Sequence, residues 1–362
     1  MAAERAIVFA GGGTGGHVFP GLAVARELRR RDPARPLEWI GAIGGLEERL
    51  VPQDGFPLLA LRLSGMARLG AAARIAAAAR ATIATLRLGA RFARRRPLLL
   101  VGVGGFASGP ALLAGRLLGA PTMILEQNAV AGATNRWLSR FADAAAAAFA
   151  ESAGDLKCRV VVTGNPVRDD VAAIPPRAEG PARLVLGFGG SRGARALDEA
   201  WIGALPLLKD SGLRFALQTG ADDRDKVAAA AREAGVDADV RPFFDDMPAR
   251  LAAADLVVAR AGATTVAELA AAGRPSLLVP FPFAANDHQK ANAEAFAARG
   301  AAIALDQREL TPERLAAEVG ALARDPSRLA AMAAAARAAA HPDAAARAAD
   351  LAEELAGGRK RP

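Results

Sequence analysis

The sequence predicts an α/β protein built from two doubly wound domains in tandem. Three observations carry that expectation. Short apolar runs alternate with helical patterns along most of the chain. A strand, a glycine loop and a helix open the sequence, and the same unit recurs near its middle. Between the two lies a stretch rich in proline and charge.

The opening unit is "AIVFAGGGTGGHVFPGLAVARELRR". Ala6–Ala10 is an apolar run suited to a buried parallel strand. Glycine fills Gly11–Gly16 except at Thr14, and His17 follows. The helix after it carries Pro20 near its first turn and arginines at its end, as capping and the helix dipole favour. Further strands are expected at Leu37–Gly41, Leu98–Gly105 and Thr122–Asn128. Gly164–Arg183 breaks the rhythm and reads as an interdomain connection. The pattern restarts at Leu184–Leu205, and "LRFALQTG", "DLVVARAG" and "PSLLVPFP" continue it as strands. Pro326–Leu355 is alanine-rich and helical, with a break at His341 and Pro342. The expected domains are residues 1–164 and 183–340, joined by a linker at 165–182 and followed by a helix and tail at 341–362.

The length of 362 residues and a hydrophobic content of 52% suit two domains with sizeable cores. Alanine and arginine dominate, so the basic balance alone does not indicate nucleic acid, and none is expected as a partner. The distribution of charge is more telling. Residues 1–160 hold 21 Lys and Arg against 11 Asp and Glu, whereas the remainder is slightly acidic. No acidic residue occurs from Gly55 to Leu125, a span with ten arginines. An anionic partner for the first half is implied. The single cysteine, Cys158, excludes an internal disulfide and suits a reducing compartment. The apolar run at the N-terminus is too short for a signal peptide. Pro97–Gly115 has no charge, but its five glycines and two prolines read as a strand, a turn and a helix start rather than a membrane span.

Gly11-x-Gly13-x-x-Gly16 fits the dinucleotide fingerprint, which also needs an acidic residue at the end of the second strand. That strand ends "WIGAIGG", and Glu38 stands at its beginning instead. A phosphate-binding P-loop would need lysine and Ser/Thr where His17 and Val18 stand. What remains is physical: N–H groups at a helix N-terminus attract anions, and glycine lets a ligand approach. Gly102–Gly105 and Gly187–Gly193 are loops of the same kind. Any one of them reads equally as a tight βα turn. Two Rossmann-like domains facing across a cleft would bind a ligand at their strand ends.

"GGTGGHVFPGLAVA", "GGFASGPALLA", "LEQNAVAGATNRWL", "GNPVR", "GGSRGA", "RAGATTVAELAAAGRPSLLVPFP" and "DHQKANA" follow in order from Gly12 to Ala293. With them the chain resembles the MurG family, peripheral membrane N-acetylglucosaminyltransferases of bacterial peptidoglycan synthesis. The resemblance implies a GT-B fold and transfer of GlcNAc from UDP-GlcNAc to the C4 hydroxyl of the muramoyl sugar of lipid I. Lipid II and UDP would be the products, with inversion at the anomeric carbon. It places the protein peripherally at the cytoplasmic face of the inner membrane, with an anionic membrane surface and proteins of the cell-wall machinery as further partners.

The same resemblance distributes the roles. His17 becomes the main catalytic candidate, because imidazole titrates near neutral pH and can take the proton of the attacking hydroxyl. A polar contact to the donor sugar without proton transfer is the alternative. Glu126 is a second candidate on the acceptor side. Gly12, Gly13, Gly104 and Gly105 would form acceptor-diphosphate loops. Thr14, Gly15 and Gly16 are assigned to the donor, and the side-chain amides of Asn128 and Gln289 suit sugar hydroxyls. Arg168 and Phe244 would border the uracil, Ser191 would contact a phosphate, and Glu268 would accept from the ribose hydroxyls. Ala263, Thr264, Thr265, Val266 and Ala267 open a helix that would meet the diphosphate and neutralise the departing UDP without a dedicated acid. Phe106 stands where the family often has tyrosine, and Asp198 where some relatives have asparagine. Asp198, His288 and Asn292 receive no role, Asn292 being read as a helix-surface residue. No cluster has metal-ligand spacing. No tightly bound cofactor is expected, and Mg²⁺ would enter only on the diphosphate.

Met66–Arg96 is the expected membrane contact. Arg80, Arg87, Arg91 and Arg94 share one helical face, with Ile75, Ile83, Leu86 and Phe92 as apolar contacts. Basic residues near an anionic surface contribute roughly 1 kcal/mol each, and interfacial helices add apolar burial. An ordinary amphipathic core helix with solvated arginines is the other reading. Among rival functions, a GT-B enzyme with a different lipid acceptor stays nearest. A non-catalytic nucleotide-sugar-binding protein would not need both His17 and Glu268, and a nicotinamide enzyme is disfavoured by the second strand.

Overall fold

The computed structural model describes residues 5–63, 70–190, 193–284 and 287–358. The chain forms two compact units, one of residues 1–166 with 343–362, the other of residues 167–342.

The first unit holds strands β1 (Ile7–Gly11), β2 (Leu37–Ala42), β3 (Leu58–Leu61), β4 (Leu99–Gly104), β5 (Thr122–Glu126), β6 (Ala144–Ala147) and β7 (Arg159–Val162). Their order in the sheet is β3-β2-β1-β4-β5-β6-β7, and all pairs are parallel. The central strands are buried on both faces, which is why they read as continuous apolar runs rather than alternating ones. The order reverses between β1 and β4, and the glycine loops follow those two strands. That is where open α/β sheets bind ligands.

One face of this sheet buries Ile7, Phe9, Leu99, Val101 and Met123 under the helix Gly15–Arg31. Phe9 stacks on Trp39 with ring centroids 5.2 Å apart. Ala348, Ala349, Leu351 and Ala352 complete that core from the last helix, Ala344–Gly357. Arg31 fastens this helix through Asp350 at 2.6 Å and Glu353 at 2.8 Å. The break expected at His341 and Pro342 falls between the helices Pro326–Ala338 and Ala344–Gly357. The other face packs Val8, Leu100 and Ile124 against Leu88, Phe92 and Leu112. Pro97–Gly115 is a strand, a turn and the start of the helix Ser108–Leu117. Among the described residues no helix is long and apolar enough to cross a membrane.

The second unit holds β8 (Leu184–Phe188), β9 (Arg214–Gln218), β10 (Ala238–Arg241), β11 (Leu256–Ala259), β12 (Ser276–Leu278) and β13 (Ala302–Ala304). The order is β10-β9-β8-β11-β12-β13, again all parallel, with its reversal between β8 and β11. The stretch read as a linker is folded into this unit. It contains the helix Asp169–Ala172. Arg274 donates to the carbonyls of Leu251, Ala252 and Pro175, and Arg337 to those of Ala271 and Ile174. These guanidinium groups meet the carbonyl ends of short helices, where the helix dipole favours a cation.

Candidate active site

In the first unit the two glycine loops are glycine because of each other. A Cβ on Gly11 would lie 2.0 Å from the Gly104 carbonyl oxygen, and one on Gly105 would lie 2.4 Å from that of Gly12. Ser108 ties the strand ends together, accepting from the Gly104 N–H at 3.0 Å and donating toward the carbonyls of Ala10 and Gly104, each at 2.8 Å. Glu47, 0% exposed, accepts from the N–H of Gly13 at 2.6 Å and of Ala42 at 2.9 Å. The Gly12 N–H donates to the Gly104 carbonyl at 3.0 Å.

These bonds correct one expectation. The amides of Gly12, Gly13 and Gly104 are already committed within the protein, and a carboxylate sits directly behind the loop. They do not form an N–H cradle for a diphosphate. The remaining donors of the first loop lie at the start of the helix Gly15–Arg31, whose first turn has no side-chain cap. Glu47 and Ser108 were not singled out from the sequence.

His17 lies in the first turn of that helix, half-buried, its ring against the Cα of Gly104. Its Nδ1 is 3.2 Å from the Gly12 carbonyl oxygen and 3.3 Å from Thr14 Oγ1. A carbonyl can only accept, so the closer contact calls for the proton on Nδ1 and leaves Nε2 as the basic nitrogen.

Glu126 departs from its expected role. It is 3% exposed. One oxygen accepts from the backbone N–H and side-chain amide of Asn128, at 2.9 and 3.3 Å. The other accepts from the Gly132 N–H and Asn135 Nδ2, each at 2.9 Å. A carboxylate so engaged organises the loop after β5 and orients Asn128; it is not placed to exchange a proton with substrate.

In the second unit the helix Ala263–Ala272 begins after Gly262 with no side-chain cap. The N–H groups of Ala263, Thr264 and Thr265 precede its first internal bond, from Val266 to the Gly262 carbonyl at 2.9 Å. Val266 is a core residue with its N–H used, so it offers a diphosphate nothing. Glu268 and Ala267 are half-buried one turn further on. Arg168 Nε lies 3.5 Å from Glu268 Oε1, so the structure brings the expected uracil and ribose residues together. Burial pushes the Glu268 carboxyl up, and Arg168 opposes that shift.

Phe244 offers a base its backbone rather than its ring. Its ring is buried, with the Arg250 guanidinium 4.3 Å from its centroid, and its N–H donates to Gln218 Oε1 at 2.9 Å. Only its carbonyl is left to serve a base. Gln218 also donates to the Gly190 carbonyl at 3.2 Å, a link not anticipated from sequence. Ser191 lies outside the described residues. Gln289 accepts from the Phe281 N–H at 2.9 Å, which fixes its side chain. Beside it Asp287 has a φ of 51°, an uncommon conformation for a side chain other than glycine. Asn292 is fully buried rather than on the surface, and donates to the Ala261 carbonyl at 3.1 Å ahead of the helix Ala263–Ala272. Asp198, 2% exposed, accepts from the Gly220 N–H at 3.3 Å.

The glycosyltransferase family 28 N-terminal domain matches residues 7–147, and the C-terminal domain of the same family matches residues 184–353. The chain belongs to glycosyltransferase family 28. It is similar to proteins of Anaeromyxobacter sp. (strain Fw109-5) and Xanthomonas axonopodis pv. citri (strain 306), each 45% identical. The alignments cover 96% and 98% of this chain, and 93% and 83% of the relatives. Both relatives are named UDP-N-acetylglucosamine--N-acetylmuramyl-(pentapeptide) pyrophosphoryl-undecaprenol N-acetylglucosamine transferase. A crystal structure of MurG from Acinetobacter baumannii superposes with a TM-score of 0.81 at 34% identity, covering 97% of this chain and 99% of that one. The glycosyltransferase of kitacinnamycin shares the fold at 18% identity, with a TM-score of 0.70. The two Rossmann-like units are thus those of a GT-B glycosyltransferase.

The basic helix of this family 28 member spans Ala71–Arg94; Met66–Leu69, read with it, lie outside the described residues. Its buried face is Ala77, Ala84, Leu88 and Phe92, so Phe92 belongs to the core and not to a surface patch. Ile75 is 72% exposed and Leu86 69%, and Ile83 is exposed with them. The core-helix reading does not account for these three. Arg80, Arg87, Arg91 and Arg94 are exposed. Arg91 is partnered by Glu38 at 2.8 Å, which offsets its charge.

Proposed function

We propose that this chain transfers N-acetylglucosamine from UDP-GlcNAc to the C4 hydroxyl of the muramoyl sugar of lipid I, giving lipid II and UDP. Near-full-length identity of 45% to transferases named for N-acetylglucosamine transfer to N-acetylmuramyl-(pentapeptide) pyrophosphoryl-undecaprenol supports the reading. His17 Nε2 takes the C4 hydroxyl proton as the oxygen attacks the anomeric carbon. The bond from that carbon to the UDP oxygen breaks, its electron pair leaves with UDP, and the configuration inverts. The N–H groups at Ala263–Thr265 stabilise the negative charge of the departing diphosphate. Glu268 accepts from the ribose hydroxyls once Arg168 yields to the nucleotide. A Mg²⁺ ion, where one takes part, arrives on the diphosphate.

The exposed Ile75, Ile83 and Leu86, interleaved with Arg80, Arg87 and Arg94, support peripheral attachment to the anionic cytoplasmic face of the membrane. The test of the activity is UDP release from UDP-GlcNAc that requires a lipid I analogue. His17→Ala should lower turnover far more than it weakens UDP binding, and an unchanged rate would remove His17 from the chemistry.

A further inference from the structure

We infer that Glu47 is a positioning residue for His17, acting through the single peptide group between Gly12 and Gly13. The Gly13 N–H that donates to Glu47 and the Gly12 carbonyl that faces His17 Nδ1 are opposite ends of that peptide, with contacts of 2.6 and 3.2 Å. A carboxylate, a peptide and an imidazole therefore stand in series. The inference rests on the reading of His17 as the base.

The physics of the series is directional. A carboxylate accepting from a peptide N–H polarises the amide and makes its carbonyl a stronger acceptor. The carbonyl then holds the proton on Nδ1 and leaves electron density on Nε2, as a second partner does for a metal-bound imidazole. The opposite tautomer would set the Nδ1 lone pair against the carbonyl lone pairs.

The surroundings make the series rigid. Glu47 is buried and also held by the Ala42 N–H at 2.9 Å. A Cβ on Gly12 or Gly45 would lie 2.3 Å from the Glu47 carboxyl group, so only glycine lets the loop wrap it. The Gly12 carbonyl is bounded on another side by Gly105, and the imidazole by Gly104. A buried carboxylate behind a loop that has to work near anionic substrates is costly for phosphate binding. It is well suited to orienting a base.

The chain has three histidines, His17, His288 and His341, so nitrogen-15 spectra of the histidine-labelled full chain are tractable. His17→Gln identifies the His17 resonances. Above its titration, wild-type His17 should be protonated on Nδ1. Glu47→Gln should mix the two tautomers and lower kcat by about ten- to a hundred-fold, by analogy with the loss of outer hydrogen-bond partners of metal-bound histidines, while the donor KM holds. A wild-type His17 protonated on Nε2 overturns the inference, and needs no variant to be stable. So does a folded Glu47→Gln with the wild-type tautomer and kcat. Full turnover by His17→Ala would instead remove the base reading and leave the tautomer result standing.

Discussion

Asp198 sits in the first turn of the helix Arg195–Leu207, with one oxygen on the Gly220 N–H. Burial pushes its carboxyl from 3.8 up to about 6. The folded chain therefore holds the proton more tightly than the unfolded chain does. Below about pH 3 both states are protonated and the group is neutral to stability. As pH rises from 4 to 6 the unfolded state ionises first, and folding loses free energy. A shift of about two units at 1.36 kcal/mol each gives a loss of about 3 kcal/mol, complete above the folded value. Asp198→Asn keeps an oxygen for Gly220 and has no proton to release. Its stability relative to wild type should thus rise by about 3 kcal/mol between about pH 3 and pH 7. Urea denaturation at a series of pH values measures this, followed by fluorescence of Trp201, the tryptophan of the second unit. Parallel stability curves for the two proteins would refute the reasoning, because they would mean that burial does not bias the protonation of this site.

Glu268→Ala should raise the donor KM at least about tenfold, as expected for two lost bonds to a charged acceptor, with kcat little changed; an unaltered KM in steady-state assays would disprove the ribose contact. Gly105→Ala places a methyl 2.4 Å from the Gly12 carbonyl oxygen at a φ of 79°, and thermal unfolding should show a loss of about 1–3 kcal/mol. An unshifted Tm would show that the loops yield. Ile83→Asp combined with Arg87→Glu should weaken sedimentation with anionic vesicles, the reversed charge at 87 alone contributing about 1 kcal/mol or more, while turnover of a soluble acceptor persists. Equal vesicle binding by both proteins would exclude this helix as the contact.

Strands such as β1 and β4 were legible because strands buried on both faces leave continuous apolar runs, closed here by glycine. The alanine-only β6 was not legible. Alanine is the best helix former, and only its place between β5 and β7 makes Ala144–Ala147 a strand. The glycines of the first loop were visible, but their reason was not. Gly11 and Gly12 pack against Gly104 and Gly105 some ninety residues away, and no local pattern shows it. Glu47 looked like any acid opening a helix, although its carboxyl group reaches back 34 residues to Gly13. Glu126 stood out only as a second catalytic candidate, and sequence could not say that its four acceptor bonds are spent inside the protein. Phe92 illustrates the complementary error. Periodicity put an apolar residue on the helix, and only the packed neighbours revealed which side it faced.

The helix Ala344–Gly357 is made after the whole of the second unit but completes the core begun by Ile7 and Phe9. During synthesis the second unit has its whole sequence before the first does. The N-terminal sheet must then wait, with part of one apolar face still uncovered beside the helix Gly15–Arg31, until residues 344–357 leave the ribosome. Cutting the chain after Pro342 would therefore harm the half that was made first, and an isolated N-terminal fragment would be prone to aggregate through the apolar surface that Ala348, Leu351 and Ala352 cover.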